Sequence, residues 1–336
     1  ARFLAGGAGA IAEPLVAAVV ARRAVWGAAL PTALRAELAG RYEVVRELSG
    51  GRMSRVFLAT ELATGLAPER RVVIKVLPPE IAAGLGTARF RREIALAARL
   101  HHPHIVPVLA AGEVDGNPYY TMPYVDGESL RTRLVREGAL PLGDVVRVCA
   151  HLADALAHAH AHGVVHRDVK PDNVLCAGGQ ALVTDFGIAK ALTAARGHDA
   201  PGDDLTQRGS ALGTPAYMAP EQAVGDPTID HRADLYALGA TAYELLVGRP
   251  PFHDVPIARL LAAKVTQRPR PVAAERADVP PPLAALVMRC LERDPPARPE
   301  SAAAVLRELA AVALPTPPGG APGHLPALAP GDPAAV

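Results

Sequence analysis

Aromatic residues make up only 4% of this 336-residue chain. Half of its residues are hydrophobic, so a large core is affordable, but it must be assembled mainly from Ala, Val and Leu. Cysteine is equally scarce. Cys149, Cys176 and Cys290 stand far apart and form no CxxC pair, which leaves zinc and redox motifs without support. Free, buried thiols in a reducing compartment are the expectation. No stretch reaches the roughly 18 uninterrupted apolar residues of a membrane helix. The best, Pro14 to Ala21, is closed by Glu13 and by Arg22 and Arg23. A formal net charge of +1 provides no field that would draw nucleic acid or anionic lipid. Lysine is rare too: of 35 basic residues only Lys75, Lys170, Lys190 and Lys264 are lysines. Where Arg serves almost everywhere, a remaining Lys hints at a place its broad fork would not fit. Lys264 is read as a chance survivor and receives no role.

The chain changes character along its length. Residues 1–40 are Ala-rich, with a helix expected from Thr32 to Leu38 ended by Gly40, and no chemistry is assigned to them. Residues 42–48, 55–60 and 71–77 read as strands, the third rich in β-branched residues. Residues 87–100 have helical periodicity, with Phe90, Ile94, Ala97 and Ala98 on one stripe. Two more strands are expected near 105–111 and 118–124. Beyond Asp126–Gly127 a long helix is expected over 143–162, then short strands flanking a polar loop at 164–185. From residue 228 the pattern is helical, with Pro-rich joints at 250–256 and 280–282. From Pro315 the chain turns to Pro, Gly and Ala and reads as a linker.

The segment VVHRDVKPDNVL, residues 164–175, carries the densest chemistry. Phosphoryl transfer needs a hydroxyl aimed in line, a metal held in place and charge on the phosphoryl oxygens offset. Asp168 can orient a hydroxyl and accept its proton, and Lys170 can neutralise a phosphoryl group. Asn173 offers a carbonyl oxygen to Mg²⁺, a cation that prefers oxygen. Downstream, ALVTDFG delivers Asp185 at the end of an apolar strand as a second ligand. Phe186 packs back and Gly187 lets the chain turn away. Twelve residues separate Asn173 from Asp185, the length of one hairpin.

HRDVKPDN, TDFG and Ala219-Pro220-Glu221 together resemble the signature set of protein kinases, and most closely that of bacterial Hanks-type (eukaryotic-like) Ser/Thr kinases, over residues 41 to about 312. The resemblance implies an α+β, bilobal fold: a β-rich N-lobe with one main helix over 41–122, a hinge at 123–127 and a mostly helical C-lobe over 128–312. Residues 1–40 would be an extension and 313–336 a tail. It further implies that Lys75 holds the α- and β-phosphates of ATP with Glu93 as its ion-pair partner. Met122 is then the gatekeeper, and Pro123 to Val125 form the adenine-binding hinge. Leu175 lies under the adenine, Val56 above it and Val73 beside it. Asp234 braces the catalytic loop, Arg298 pairs with Glu221, and Thr214 bridges Asp168 and Lys170. Lys170 together with Thr214 resembles Ser/Thr rather than tyrosine kinases.

The phosphate loop departs from LGxGxxG: it reads Leu48-Ser49-Gly50-Gly51-Arg52-Met53-Ser54, and only Gly51 keeps a signature glycine. Weaker or slower ATP binding is the expectation. Arg167 and Lys190 match a cation pair that a phosphate on the activation segment would join, with Thr206 or Ser210 as the autophosphorylated residue. The cofactors implied are ATP and Mg²⁺, with Mn²⁺ as a substitute. The partners are Ser/Thr-containing proteins and a second copy of the chain for autophosphorylation in trans, without nucleic acid. The location is cytoplasmic, with tethering through a membrane segment outside this chain left open. A chain that starts with Ala is expected to be a fragment or a processed product. A nucleotide-binding pseudokinase scaffold is the alternative, disfavoured by the intact Lys75, Glu93, Asp168, Asn173 and Asp185. A small-molecule kinase is a third, disfavoured by the long activation segment. His158 and His162 share a helix face but lack a third metal ligand.

Overall fold

The computed structural model describes residues 30–50, 54–65, 68–78, 87–186 and 215–314. They fall into two compact units. The first holds the described residues up to Arg91 together with Val108–Tyr124, and the second holds Arg92–Pro107 and the described residues from Val125 onward.

The first unit is an antiparallel sheet of β1 (Tyr42–Gly50), β2 (Arg55–Glu61), β3 (Arg70–Val76), β4 (Ala110–Val114) and β5 (Asn117–Pro123), in the order β1-β2-β3-β5-β4. Alternation along the strands sorts the side chains. On β3, Val72, Ile74 and Val76 are fully buried in a core with Phe57, Ala59, Val114 and Tyr119. That core also takes Leu30, Leu34 and Leu38 of α1 (Leu30–Leu38). Their spacing of four puts the three leucines on one stripe. A helix from the Ala-rich extension is therefore part of the sheet's core. β1 ends in a hairpin in which Glu47 accepts from Arg55 at 2.8 and 2.6 Å, and two bulges interrupt its pairing with β2.

The second unit is mostly helical. Its elements are β6 (Glu128–Ser129), α3 (Leu130–Glu137), α4 (Leu142–Ala161), β7 (Val174–Ala177) and β8 (Gln180–Val183), then α5 (Pro220–Ala223), α6 (Arg232–Val247), α7 (Ile257–Thr266), α8 (Val272–Glu275), α9 (Pro281–Cys290) and α10 (Ala302–Ala310). α2 (Thr87–Ala97) enters this unit at Arg92. Helix α6 is buried on every face from Ala233 to Leu246 and forms the axis of the unit. A Cβ on Gly239 would lie 2.6 Å from the Cβ of Cys290, so glycine lets α9 approach α6 closely. Cys149 and Cys290 are buried and free, their thiols pushed up to about 12 by loss of solvent.

Two expected strands are displaced. The strand expected near 105–111 begins only at Ala110; Pro103 and Pro107 supply no N–H, and Ile105 makes an isolated parallel bridge to Val183 instead. No strand precedes the polar loop at Val164, because the N–H groups of Val164 and His166 go to Ala159 O and to a carboxylate of Asp234.

Because Leu34 is fully buried, Leu34→Ala should lower the unfolding free energy by about 2–5 kcal/mol. Denaturant titration followed by circular dichroism checks this, and an unchanged midpoint would remove α1 from the core.

Candidate active site

In the second unit, the loop Val164–Asn173 is built around one buried carboxylate. Asp234, in the first turn of α6, accepts the backbone N–H of Arg167 at 2.7 Å and of His166 at 2.8 Å. His160 Nε2 meets the same oxygen as His166 at 2.8 Å. Burial pushes the Asp234 carboxyl up, but the hydrogen bond and electrostatic interaction of His160 and the hydrogen bond from the Arg167 amide outweigh it and hold the group below its ordinary range. His166 has no exposed surface. Its Nδ1 accepts from the amide of Asp168 at 3.2 Å, so its Nε2 donates, to Thr184 O at 2.8 Å. The Phe186 ring packs edge-on against it, centroids 4.6 Å apart. Thus the residue before Asp185 and the amide of Asp168 share one imidazole.

Arg167 sits at φ 69° and Asp185 at φ 67°, a left-handed conformation that non-glycine residues seldom adopt. The surrounding hydrogen bonds over-determine it at Arg167, whose carbonyl also accepts from Gln222 Nε2 at 3.0 Å.

Asp168 is held on two sides. Lys170 Nζ donates to its Oδ2 at 2.7 Å, and Asn173 Nδ2 donates to the same oxygen at 2.9 Å and to Asp168 O at 2.8 Å. Those two bonds use both Nδ2 hydrogens, leaving the Asn173 carbonyl oxygen to serve a cation. With Asp185 the donor set is all oxygen, which fits Mg²⁺ and not a soft metal. Asn173 closes the 3₁₀ turn Pro171–Asn173, and its own O accepts from Thr184 N at 2.9 Å, which joins the loop to the end of β8.

The other expected residues of this unit are Glu93 on α2, Val125, and Leu175 on β7 opposite Leu182. In the first unit, Val56 stands opposite Lys75 and Val73 opposite Met122. Strand alternation puts all four on the sheet face opposite α1. Pro123 ends β5, and Leu48 and Gly50 lie at the end of β1. Gly51, Lys190, Thr206, Ser210 and Thr214 lie outside the described residues.

Several supporting contacts escaped the sequence reading. Arg298, its side chain fully buried, clamps Glu221 of α5 with bonds of 2.6 and 2.8 Å and donates to three backbone carbonyls. The pair was expected; the carbonyls were not. Arg131 of α3 donates to Glu244 at 2.7 Å, and Tyr217 closes a short hydrogen-bonded triangle with both. Arg131 also reaches Asp172 at 3.3 Å. Lys264 corrects the sequence reading. It is 1% exposed, and its Nζ donates to Ala216 O at 2.7 Å and to Met218 O at 2.8 Å. No sequence pattern marks a lysine that binds backbone carbonyls.

The rings of His158 and His162 lie 4.4 Å apart between centroids and tilted by 38°, in a row that includes His102, His104 and His151. Among the described residues no group of three or more ligands could hold a metal.

A five-stranded sheet unit bearing a central lysine, and a helical unit whose polar loop holds Asp, Lys and Asn on a buried carboxylate, define the protein-kinase class of fold. The protein kinase domain model matches residues 42–309, and the chain belongs to that family. It is 39% identical to the serine/threonine-protein kinase PknB of Mycolicibacterium smegmatis over 279 residues, covering 81% of this chain and 43% of that protein. It is 38% identical to the serine/threonine-protein kinase pkn3 of Myxococcus xanthus over 284 residues, covering 82% and 50%. The chain thus spans about half the length of these relatives or less. The crystal structure of the Mycobacterium tuberculosis PknI kinase domain superposes with a TM-score of 0.62 at 32% identity, covering 81% of this chain and 96% of that one.

The histidine row carries a pH prediction. Burial, then the neighbouring charges, leaves His102 and His158 below their ordinary value and takes His151 down to about 4. His151 Nδ1 accepts the Ala181 amide at 3.1 Å, a bond its protonation would break. The unfolded chain therefore takes up protons before the folded one, and stability falls as pH drops from about 6.5 toward 4. The melting temperature should fall between pH 7 and pH 5, and by less in His151→Gln. Equal falls in both proteins would contradict this origin.

Proposed function

We propose that this chain is an ATP-dependent protein kinase that phosphorylates Ser and Thr hydroxyls of proteins. The observation that carries the reading is the fixed Asp168 carboxylate, gripped by Lys170 and Asn173 on a loop strapped to Asp234. In this reading Asp168 orients the acceptor hydroxyl and takes its proton as the hydroxyl oxygen bonds the γ-phosphorus of ATP and the bond from that phosphorus to the β,γ-bridging oxygen breaks, ADP leaving. Lys170 offsets charge on the transferring phosphoryl group, and its bond to Asp168 fixes the two groups relative to each other. Lys75 is assigned to the α- and β-phosphates, with Glu93 as its expected partner. Val56, Val73, Met122, Pro123, Val125 and Leu175 are assigned to the base, and Leu48, Gly50 and Gly51 to the phosphate loop. Asn173 and Asp185 would hold Mg²⁺ or Mn²⁺, which supplies positive charge against the phosphates.

The domain limits proposed are 41–312, with the reservation that α1 packs in the sheet core and belongs to the folded unit. Thr214 is assigned to bridging Asp168 and Lys170. Thr206 or Ser210 is assigned to autophosphorylation, read by Arg167 and Lys190 and carried out between two copies of the chain. A cytoplasmic location goes with this reading; among the described residues no helix is long and apolar enough to cross a membrane.

Radiolabelled ATP with the purified chain, followed by phosphosite mapping, tests this. The wild type should label itself between Ile188 and Ala216, whereas Asp168→Asn should lose at least about 100-fold in transfer and keep its ATP affinity within about 3-fold. Undiminished labelling in the variant would remove Asp168 from the mechanism. A wild type that binds ATP and transfers nothing would favour the scaffold alternative.

A further inference from the structure

A cavity of about 180 Å³ lies in the second unit, between the end of α6, the loop 252–255 and the segment 267–270 that joins α7 to α8. None of its lining residues has a role in the proposed chemistry. Its wall is largely polar: Tyr243, His253, Asp254, Gln267, Arg268 and Arg270 all line it. Two of these carry a polar atom without a hydrogen bond. Tyr243 is 1% exposed, and its hydroxyl has no partner among the described residues. His253 Nδ1 is buried and also lacks one. An unpaired buried polar group is costly, so two that line one cavity point to an occupant that satisfies both. The backbone before His253 is strained as well. Phe252 sits at φ 61°, with its ring buried against Leu260 and Ala263. Such conformations persist only where the surroundings enforce them, and they cluster at ligand sites.

The charges around the cavity select the occupant. Burial, then the charge of Glu275, pushes the Tyr243 phenol up to about 12, so its hydroxyl keeps its proton and can donate. Arg268 makes one hydrogen bond, to Glu292 at 3.3 Å. Arg270 makes only ion-pair contacts, to Asp254 at 3.4 Å and to Glu275 at 3.6 Å, and Glu275 is already held by Arg249 at 2.8 Å. A guanidinium carries five N–H groups, so both arginines keep donors to spare. Asp254 is the one carboxylate in the lining, against two guanidiniums. The Tyr243 hydroxyl, the Gln267 amide and an imidazole protonated on Nδ1 add further donors. Such a wall suits a compact oxyanion and not a cation, and guanidinium forks match the oxygens of phosphate. The volume admits one phosphoryl group with some water. It lies below the roughly 300 Å³ at which sites for larger ligands begin, so a nucleotide does not fit.

We propose that this cavity is a phosphate-binding site, taking a free phosphate ion or the phosphate monoester of a phosphorylated Ser or Thr side chain. Arg268 and Arg270, whose side chains are 72% and 66% exposed, clamp its oxygens from the solvent side. Tyr243 Oη and His253 Nδ1 donate to it from within. The site uses none of the residues assigned to ATP, and it stands whether or not the chain transfers phosphate.

Isothermal titration calorimetry of the purified chain tests this, at fixed ionic strength in chloride and with a saturating non-hydrolysable ATP analogue to fill the proposed nucleotide site. Inorganic phosphate and N-acetyl-phosphothreonine amide are the two probes, with the unphosphorylated threonine amide as the control that should not bind. At least one probe should bind one-to-one with a Kd of about 1 mM or below. Tighter binding of one or the other identifies the source, a free ion or a phosphorylated side chain. Arg268→Met and Tyr243→Phe should each weaken that binding at least about 5-fold. Tyr243→Phe should also keep the wild-type melting temperature, because the hydroxyl it removes has no protein partner. No saturable binding of either probe would overturn the proposal and leave the cavity to water. Binding that both variants leave unchanged would overturn it too. If Tyr243→Phe fails to fold, Arg268→Met, at an exposed side chain, decides alone.

Discussion

The geometry of the catalytic loop depends on a carboxylate that never meets solvent. Asp234 has no exposed surface, and its oxygens are shared among two backbone amides and an imidazole. A buried charge of this kind is tolerable only when every lone pair is used. That requirement fixes the amides of His166 and Arg167 in place, and with them the left-handed backbone at Arg167 that presents Asp168. The helix carrying Asp234 is buried on all sides, so the carboxylate cannot move without disturbing the core of the second unit.

The same device recurs outward from that helix. Arg298 uses its guanidinium to satisfy Glu221 and three carbonyls, which anchors the start of α5. Gln222, one residue on, returns to the loop through the Arg167 carbonyl. Lys264 holds the segment before α5, and Arg131, Tyr217 and Glu244 hold its middle. Loop and segment carry little regular secondary structure, so buried side chains take the place of a backbone ladder. A chain with few aromatics and many arginines is suited to this: its core is small aliphatic packing, and polar specificity comes from guanidinium forks.

Much of this was legible in the sequence, for a physical reason. Asp168, Lys170 and Asn173 act within six residues of one another, so their spacing is preserved whatever surrounds them. The strands around Val56, Val73 and Lys75 announced themselves by β-branched alternation. The long-range supports were not legible. Lys264 and Gln222 bind backbone, which has no sequence signature. His160 lies off the helix face that His158 and His162 share and carried no expectation, yet it reaches Asp234. The strand boundary at 105–111 failed because periodicity ignored two prolines. The helix at Leu30–Leu38 was read correctly as a helix and left without a partner, since nothing local says that its leucines finish the core of a sheet.

The central claim is that Asp234 fixes the catalytic loop through the amides of His166 and Arg167. Hydrogen–deuterium exchange on Asp234→Asn tests it most directly. The two amides should lose about 10- to 100-fold in protection, as expected for weakening hydrogen bonds to a buried charge, while amides in the middle of α6 keep theirs. Unchanged protection at His166 and Arg167 would contradict the account.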